Sequence, residues 1–301
     1  MGAHAHDHAH GGHHHHHPAP GAGGALTWVL VANLGFFFVE ASIGLWTGSL
    51  ALLSDAGHAL GDVGALSIAV IADRLARRPP SARWSFGLVR MRVLGAFVNG
   101  MALAAIAGSI LTEAVHRMAQ PAAPPPWNAV AIVGAIGLAL NLGSAAMLAR
   151  GDRGDVNLRA ALAHVLVDAL GSVAAVVAAI LIWAGHGWAD VAVGAVMAAL
   201  VLRTAWVLMR DTATILLESA PAGIDPVHVG QALAAVPGVE DVHDLHVWSL
   251  DGRHALVSAH LRTEPDAAPD AVQREAHRLL EEVFHVHHRT LQVEITCRGG
   301  C

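Results

Sequence analysis

Residues 54–62, Ser-Asp-Ala-Gly-His-Ala-Leu-Gly-Asp, and residues 164–168, His-Val-Leu-Val-Asp, decide how this chain folds. Each stretch lies inside a long apolar run, and in each a histidine precedes an aspartate by four residues. Side chains four positions apart lie on the same face of an α-helix, so each run presents one imidazole beside one carboxylate. Ionisable groups are costly inside a membrane helix and are functional by default, so the duplication indicates membrane helices that carry a polar site.

The composition of the 301-residue chain is that of a membrane protein. Hydrophobic residues make up 54% of it, charged residues only 14%, and the mean hydropathy is +0.49. Soluble domains are about 25% charged. Six apolar runs reach the roughly 20 residues that a helix needs to cross a bilayer. They lie near 26–46, 49–72, 90–112, 128–148, 160–183 and 188–209. We therefore predict a membrane all-α fold, a six-helix transmembrane bundle over residues 26–210.

The arginines predict the orientation of these helices. Two sets of arginines follow the second and fourth runs and a third lies at the end of the sixth, whereas the other three connections hold only Arg117. The sets are Arg74, Arg77, Arg78, Arg83, Arg90 and Arg92, then Arg150, Arg153 and Arg159, then Arg203 and Arg210. Positive charge favours the cytoplasmic side, so we expect a multi-pass protein of the inner (cytoplasmic) membrane with both termini in the cytoplasm. The first run lacks a basic leader and a small-residue cleavage site, so we expect no cleaved signal peptide.

The pattern changes from residue 211 onward. Two amphipathic helices and three alternating segments occur in the order αββαβ. They cover 225–236, 239–250, 254–262, 269–284 and 291–295, with a turn at Asp251-Gly252. We predict that residues 211–301 form a small cytoplasmic α+β, ferredoxin-like domain that binds metal and dimerises. Residues 1–25 are rich in histidine and glycine and form no packed core, so we expect a disordered N-terminus.

The duplicated motif has the ligand chemistry of a metal site. His58, Asp62, His164 and Asp168 offer two nitrogens and two oxygens, which satisfy a tetrahedral Zn²⁺ ion. The alternative is two hydrogen-bonded pairs that hold helices together. Two identical copies, each deep in an apolar run, favour the metal site.

Other polar residues also lie within the apolar runs. Asp55 precedes His58 by about one turn and is a candidate for orienting the ligands. Glu40 and Asn33 in the first run are supporting polar groups for which interhelical hydrogen bonding is the simplest role, as it is for Asn99 and Asn141.

With these features the sequence resembles the cation diffusion facilitator family, particularly its bacterial zinc exporters. The motifs are Ser-Asp-Ala-Gly-His in the second run, His-Val-Leu-Val-Asp-Ala-Leu-Gly-Ser in the fifth, and Val-His-Asp-Leu-His-Val-Trp-Ser-Leu in the tail. The resemblance extends from about residue 26 to 297. It implies a homodimer in which each chain carries one transport site made of the two histidines and two aspartates. It also implies zinc as the substrate, often with acceptance of cadmium.

The same resemblance implies a regulatory metal in the cytoplasmic domain. The matching residues are His243, His260, His287 and Glu294, with His277 on the intervening helix. The alternative is that these are solvent-facing histidines of a histidine-rich domain. Zn²⁺ is therefore expected both as cargo and as a structural or regulatory ion.

Two further segments bear on metal binding. The connection after the second run has Trp84 where some relatives carry a histidine, so we expect no metal site there. Cys297 and Cys301 offer two thiolates four residues apart, but they lack an obvious partner pair.

The predicted activity is proton-coupled antiport that exports Zn²⁺, because metal binding to carboxylates and imidazoles releases protons. Alternatives are transport of Cd²⁺, Co²⁺ or another divalent metal, and a membrane metal sensor without transport. An intramembrane metallohydrolase needs an open coordination position and, typically, an H-E-x-x-H motif, which the sequence lacks. We therefore expect no enzyme activity. Nucleic acid is excluded as a partner, since the chain has no lysine and no basic stripe.

Overall fold

The computed structural model describes residues 22–149 and 156–295. The histidine run before Pro18 and the pair Cys297 and Cys301 lie outside these residues. Six long helices come first in the chain. They are α1 (Ala22–Thr47), α2 (Leu50–Ala76), α3 (Met91–Ala119), α4 (Trp127–Leu148), α5 (Val156–Trp183) and α6 (Trp188–Leu216). All six predicted helices are present, and α3 and α6 extend about two turns beyond their predicted ends.

Several of these helices have the length and hydropathy of membrane spans. Within the described residues, four are long and apolar enough to cross a bilayer: α3, α4, Leu162–Trp183 of α5, and α6. A shorter apolar helix, Val31–Thr47, belongs to α1. The predicted class, apolar membrane helices followed by a small α+β domain, is confirmed.

The chain divides into two compact units. Unit 1 comprises Met1–Asp55 and Ala123–Val193, and unit 2 comprises Ala56–Ala122 and Gly194–Cys301. In unit 1, α4 packs along α5 and against α1. The Asn141 side chain on α4 donates to the Ser172 hydroxyl on α5 at 3.3 Å, the interhelical role expected for this asparagine.

A buried carboxylate in unit 1 caps the start of α2. Asp190, in the first turn of α6, accepts hydrogen bonds from the Ser49 hydroxyl and from the backbone amides of Leu50 and Ala51, the last two at 2.7 and 3.3 Å. Asp190 is fully buried. The first amides of a helix have no partner within the helix, and a negative charge there also interacts favourably with the helix dipole.

Replacing Asp190 with alanine removes these three bonds and leaves buried donors without a partner. We expect a loss of about 3 kcal/mol of stability, which lowers the melting temperature in detergent by roughly 5 to 10 °C. Asp211→Ala removes an exposed carboxylate from the same helix and is the matched control. Equal melting temperatures for the two variants would show that the cap contributes nothing.

Glycines let α3 approach α2 closely in unit 2. A Cβ on Gly61 would collide with the Leu103 side chain, and one on Gly64 would lie 3.2 Å from the Asn99 amide oxygen. Asn99 is buried at this contact. Small residues permit such close packing between membrane helices.

The tail of unit 2 is the predicted α+β domain. Its elements are α7 (Pro226–Ala234), β1 (Val239–Ser249), β2 (Ala255–Thr263), α8 (Pro269–Glu282) and β3 (His288–Ile295). The sheet has the order β1-β2-β3, with β1 antiparallel and β3 parallel to β2. Leu233, Leu261 and Leu280 lie fully buried in one core that joins both helices to the sheet. The order αββαβ is confirmed, and β3 starts three residues earlier than predicted.

The turn between β1 and β2 contains a stabilised carboxylate. Partial burial acts to raise the pKa of Asp251, but hydrogen bonds from the backbone amides of His254 and Arg253 and from the His254 ring outweigh it. The net effect lowers the pKa of Asp251 from 3.8 to about 2. Gly252 adopts φ 78° in the same turn, which suits glycine.

Because its folded-state pKa is depressed, the Asp251 carboxylate stabilises the tail fully above pH 4. This contribution, at most about 2 kcal/mol, is lost as the pH falls from about 4 to about 2. We expect Asp251→Asn to lower the urea midpoint of the tail at pH 6 and to have a much smaller effect at pH 2. Glu264→Gln, at an exposed position, serves as the control. An Asp251→Asn effect that does not depend on pH would contradict this account.

Candidate metal centres

The first predicted pair lies on α2, in unit 2. His58 Nε2 and Asp62 Oδ2 are 3.7 Å apart, one helical turn from each other, with side chains 32% and 36% exposed. This separation is longer than a hydrogen bond. Both groups are accessible enough to meet a hydrated cation and close enough to bind the same ion.

The second pair, on α5 in unit 1, has the same geometry. His164 Nε2 lies 3.7 Å from Asp168 Oδ2, and the side chains are 48% and 19% exposed. The structure therefore brings each histidine to its own aspartate, as the four-residue spacing predicts. Imidazole nitrogen and carboxylate oxygen are both good ligands for Zn²⁺.

A second group of polar side chains lies within unit 1. Glu40 on α1 and Asp55 on α2 are both buried, and their side chains are hydrogen-bonded to each other. A Cβ on Gly171 would collide with the Asp55 carboxylate, so the absence of a side chain at Gly171 leaves room for Asp55 to pack against α5. Asn33, the third supporting residue predicted, is half-buried on α1.

Three tail residues form a compact ligand group. Ligand atoms of His243, His260 and Glu294 all lie within 4.8 Å of one another. Glu294 Oε1 is 2.9 Å from His260 Nδ1, and its Oε2 is 3.3 Å from His243 Nε2. All three side chains are half-buried, and the two imidazole rings meet edge to face at 5.3 Å.

The strands explain how these three residues meet. His243 on β1 pairs directly with His260 on β2, and Glu294 on β3 is two residues past Gln292, the residue that faces His260. Just beyond His243, β1 has a bulge, since Asp244 and Leu245 together face one residue of β2. Asp244 takes φ 51° in this bulge, a conformation that aspartate tolerates better than most residues.

One ring nitrogen in the cluster is available for a ligand. His243 Nδ1 is buried and makes no hydrogen bond to any described residue. Its nearest charged neighbour, Asp241 Oδ2, lies 3.4 Å away, and Asp241 also pairs with Arg262 at 3.0 Å. A buried ring nitrogen without a hydrogen bond to the described residues, in a cluster of two histidines and one carboxylate, fits Zn²⁺ or a similar cation.

Sequence reasoning missed two acidic neighbours of this cluster, Asp241 and Asp244. Asp244 Oδ2 lies 3.7 Å from His260 Nε2. The run Glu-Asp-Val-His-Asp carries a signal, because it concentrates carboxylates around a histidine in a strand. Asp190 was also missed, and its signal is a carboxylate beside a tryptophan at the start of an apolar helix.

Two predicted tail ligands do not join the cluster. The His277 ring on α8 accepts a hydrogen bond from Arg289 Nε at 2.9 Å. Burial and the adjacent Arg289 charge lower the pKa of His277. His287 is highly exposed and lies 3.9 Å from Glu281. Arg289 and Glu281 thus surround these histidines, because α8 turns this face towards the start of β3.

Comparison with known proteins covers nearly the whole chain. The sequence model described as "Cation efflux transmembrane domain" matches residues 26–217, and that described as "Cation efflux protein, cytoplasmic domain" matches residues 221–296. The second is named for dimerisation.

Curated relatives are similar over most of their length. "Zinc transporter ZitB" of Escherichia coli is 37% identical over 91% of this chain and 88% of that protein. "Cadmium, cobalt and zinc/H(+)-K(+) antiporter" of Bacillus subtilis is 36% identical over 86% and 85%. "Metal cation efflux system protein CzcD" of Cupriavidus metallidurans is 35% identical over 86% and 83%. A solved metal-bound C-terminal domain of the CzcD transporter is 32% identical, covers 24% of this chain and 99% of its own, and has a TM-score of 0.23.

Proposed function

Because the chain belongs to the cation efflux family, the cation diffusion facilitators, and is a multi-pass metal efflux transporter, we propose that it exports Zn²⁺ in exchange for protons. The observation that carries this proposal is the duplicated pair of one histidine and one aspartate, each pair with the same 3.7 Å geometry. The relatives' names point to transport rather than catalysis.

We propose that both pairs bind one Zn²⁺ ion together. Two imidazoles and two carboxylates give four ligands and a net charge that cancels that of the cation. In alternating access, this site would open to each side of the membrane in turn.

Proton exchange follows from the ligand chemistry. Carboxylates and imidazoles bind metal only when deprotonated, so loading of zinc releases protons and protonation favours release of zinc. Histidine changes charge near neutral pH, which suits this exchange. By the positive-inside rule, we infer that the termini and the tail lie in the cytoplasm, where zinc is loaded.

In the tail, we propose that His243, His260 and Glu294 hold a regulatory Zn²⁺ ion. The ion would neutralise Glu294 and bind His243 through Nδ1, which makes no hydrogen bond to the described residues, or through Nε2, which faces Glu294. The name of the cytoplasmic-domain family supports a homodimer. We do not include His277 and His287 in the site, since other groups surround them.

The experiment is zinc flux into proteoliposomes across an imposed pH gradient. We expect zinc to accumulate on the acidic side when the gradient is present and no accumulation when an ionophore collapses it. Cd²⁺ and Co²⁺ are tested in parallel, because a relative's name includes both metals. Preference for either over Zn²⁺ would overturn the assigned cargo. Zinc binding without flux would replace the transporter with a metal sensor.

A further inference from the structure

The loop between α2 and α3 lines a large cavity in unit 2. The cavity holds about 1200 Å³ and opens to solvent. It is larger than the roughly 300–1,000 Å³ of a typical small-molecule pocket. Most of its wall is apolar, and its lining includes Trp84, Phe86, Leu94, Leu216, Leu245 and Val247.

The wall of this cavity contains positively charged side chains. Arg83 and Arg90 both line it. Arg90 is paired with Glu218 at 2.6 Å, whereas no carboxylate of the described residues lies within 4.0 Å of Arg83. The Arg83 guanidinium instead lies 5.7 Å from the centre of the Trp84 ring. The cavity therefore combines an apolar interior with a positive charge that has no counter-ion in the part of the chain that the structure describes.

The position of the loop limits which ligands can reach the cavity. The loop leads into α3, a candidate membrane span, so the cavity lies where the chain leaves the bilayer. Trp84 and Phe86 are 52% and 49% exposed, and aromatic and arginine side chains together are typical of the headgroup layer. Basic pockets beside membrane helices bind anionic lipid headgroups.

We propose that this cavity binds one anionic phospholipid, with its phosphate at Arg83 and an acyl chain along Trp84, Phe86 and Leu94. A soluble anion would gain nothing from the apolar wall, and a zwitterionic lipid would bring a second positive charge close to Arg83. The lipid would contact the loop, α3 and β1 at once, since all three line the cavity.

The test measures lipid binding to the delipidated full-length protein by native mass spectrometry. Phosphatidylglycerol is compared with phosphatidylcholine of the same acyl chains and with glycerol phosphate, which has none. Arg83→Ala is expected to weaken phosphatidylglycerol binding about fivefold. The matched control is Arg74→Ala, which removes an exposed arginine near the same membrane boundary but outside the cavity.

We expect one tightly bound phosphatidylglycerol per chain, weaker phosphatidylcholine binding and no effect of Arg74→Ala. Equal losses for Arg83→Ala and Arg74→Ala, or equal binding of the two lipids, would overturn the proposal. Binding of glycerol phosphate as tight as that of the lipid would replace it with a soluble anion site.

A second copy of the chain is the remaining candidate for covering this cavity. In a Cys297→Ser, Cys301→Ser chain, Trp84→Cys reports on both possibilities. Slower thiol labelling on addition of phosphatidylglycerol supports the lipid. Disulfide-linked dimers through the substituted position, with labelling unaffected by lipid, would overturn it.

Discussion

Asp62→Ala and Asp168→Ala are each expected to abolish gradient-driven zinc flux, with a loss of at least about 100-fold. This expectation follows because each substitution removes one of four proposed ligands, and even residues that only orient ligands change metal affinity 10- to 100-fold. Removing one carboxylate also leaves a net positive charge on the loaded site, which is costly within a membrane segment.

The measurement is the initial rate of zinc uptake into proteoliposomes under a fixed pH gradient. Asp211→Ala is the control, because it removes an exposed aspartate that belongs to neither histidine–aspartate pair. Melting temperatures of all variants show whether the protein is folded. If Asp62→Ala abolishes flux and Asp168→Ala leaves it intact, the two pairs do not form one transport site.

Glu294→Gln removes the negative charge of the side chain but keeps its shape, and we expect the proposed tail site to lose its zinc. We expect one fewer zinc ion per chain or a loss of affinity of at least about 10-fold, because the carboxylate contacts both histidines. The measurement is calorimetric zinc titration in an Asp62→Ala, Asp168→Ala background, so that the transport site is disabled and the N-terminal histidines contribute equally to every variant.

The control for this titration is His287→Ala, which removes an exposed histidine that lies outside the cluster. Unchanged zinc binding in Glu294→Gln would show that the cluster is an ordinary group of polar contacts. Equal losses in Glu294→Gln and His287→Ala would restore His287 as a ligand.

Much of this architecture could be predicted from local patterns in the sequence. Helix length follows from apolar runs of about 20 residues, and the His58–Asp62 contact follows from helical periodicity alone. The tail order follows from alternation in the strands and from the amphipathic pattern of α8. Each of these features depends on residues close together in the sequence.

Contacts between residues far apart in the sequence could not be predicted from local patterns. The cap that Asp190 provides for α2 joins residues about 140 positions apart, and no local pattern specifies that partner. The exclusion of His277 depends on Arg289, which reaches it only after α8 and β3 have packed. The resemblance to a family supplied His243, His260 and Glu294, and periodicity alone does not select them from the other tail histidines.

The bulge at Asp244 also bears on how the tail avoids aggregation. β1 stands at the edge of the sheet, where unpaired backbone groups offer a template for strands of other molecules. Its register is broken twice, at Glu240 and at Asp244, and each break places a carboxylate on the edge strand. Irregular backbone and negative charge both discourage the addition of a further strand. The same irregular strand that presents His243 to its partners thus helps to keep newly synthesised tails apart.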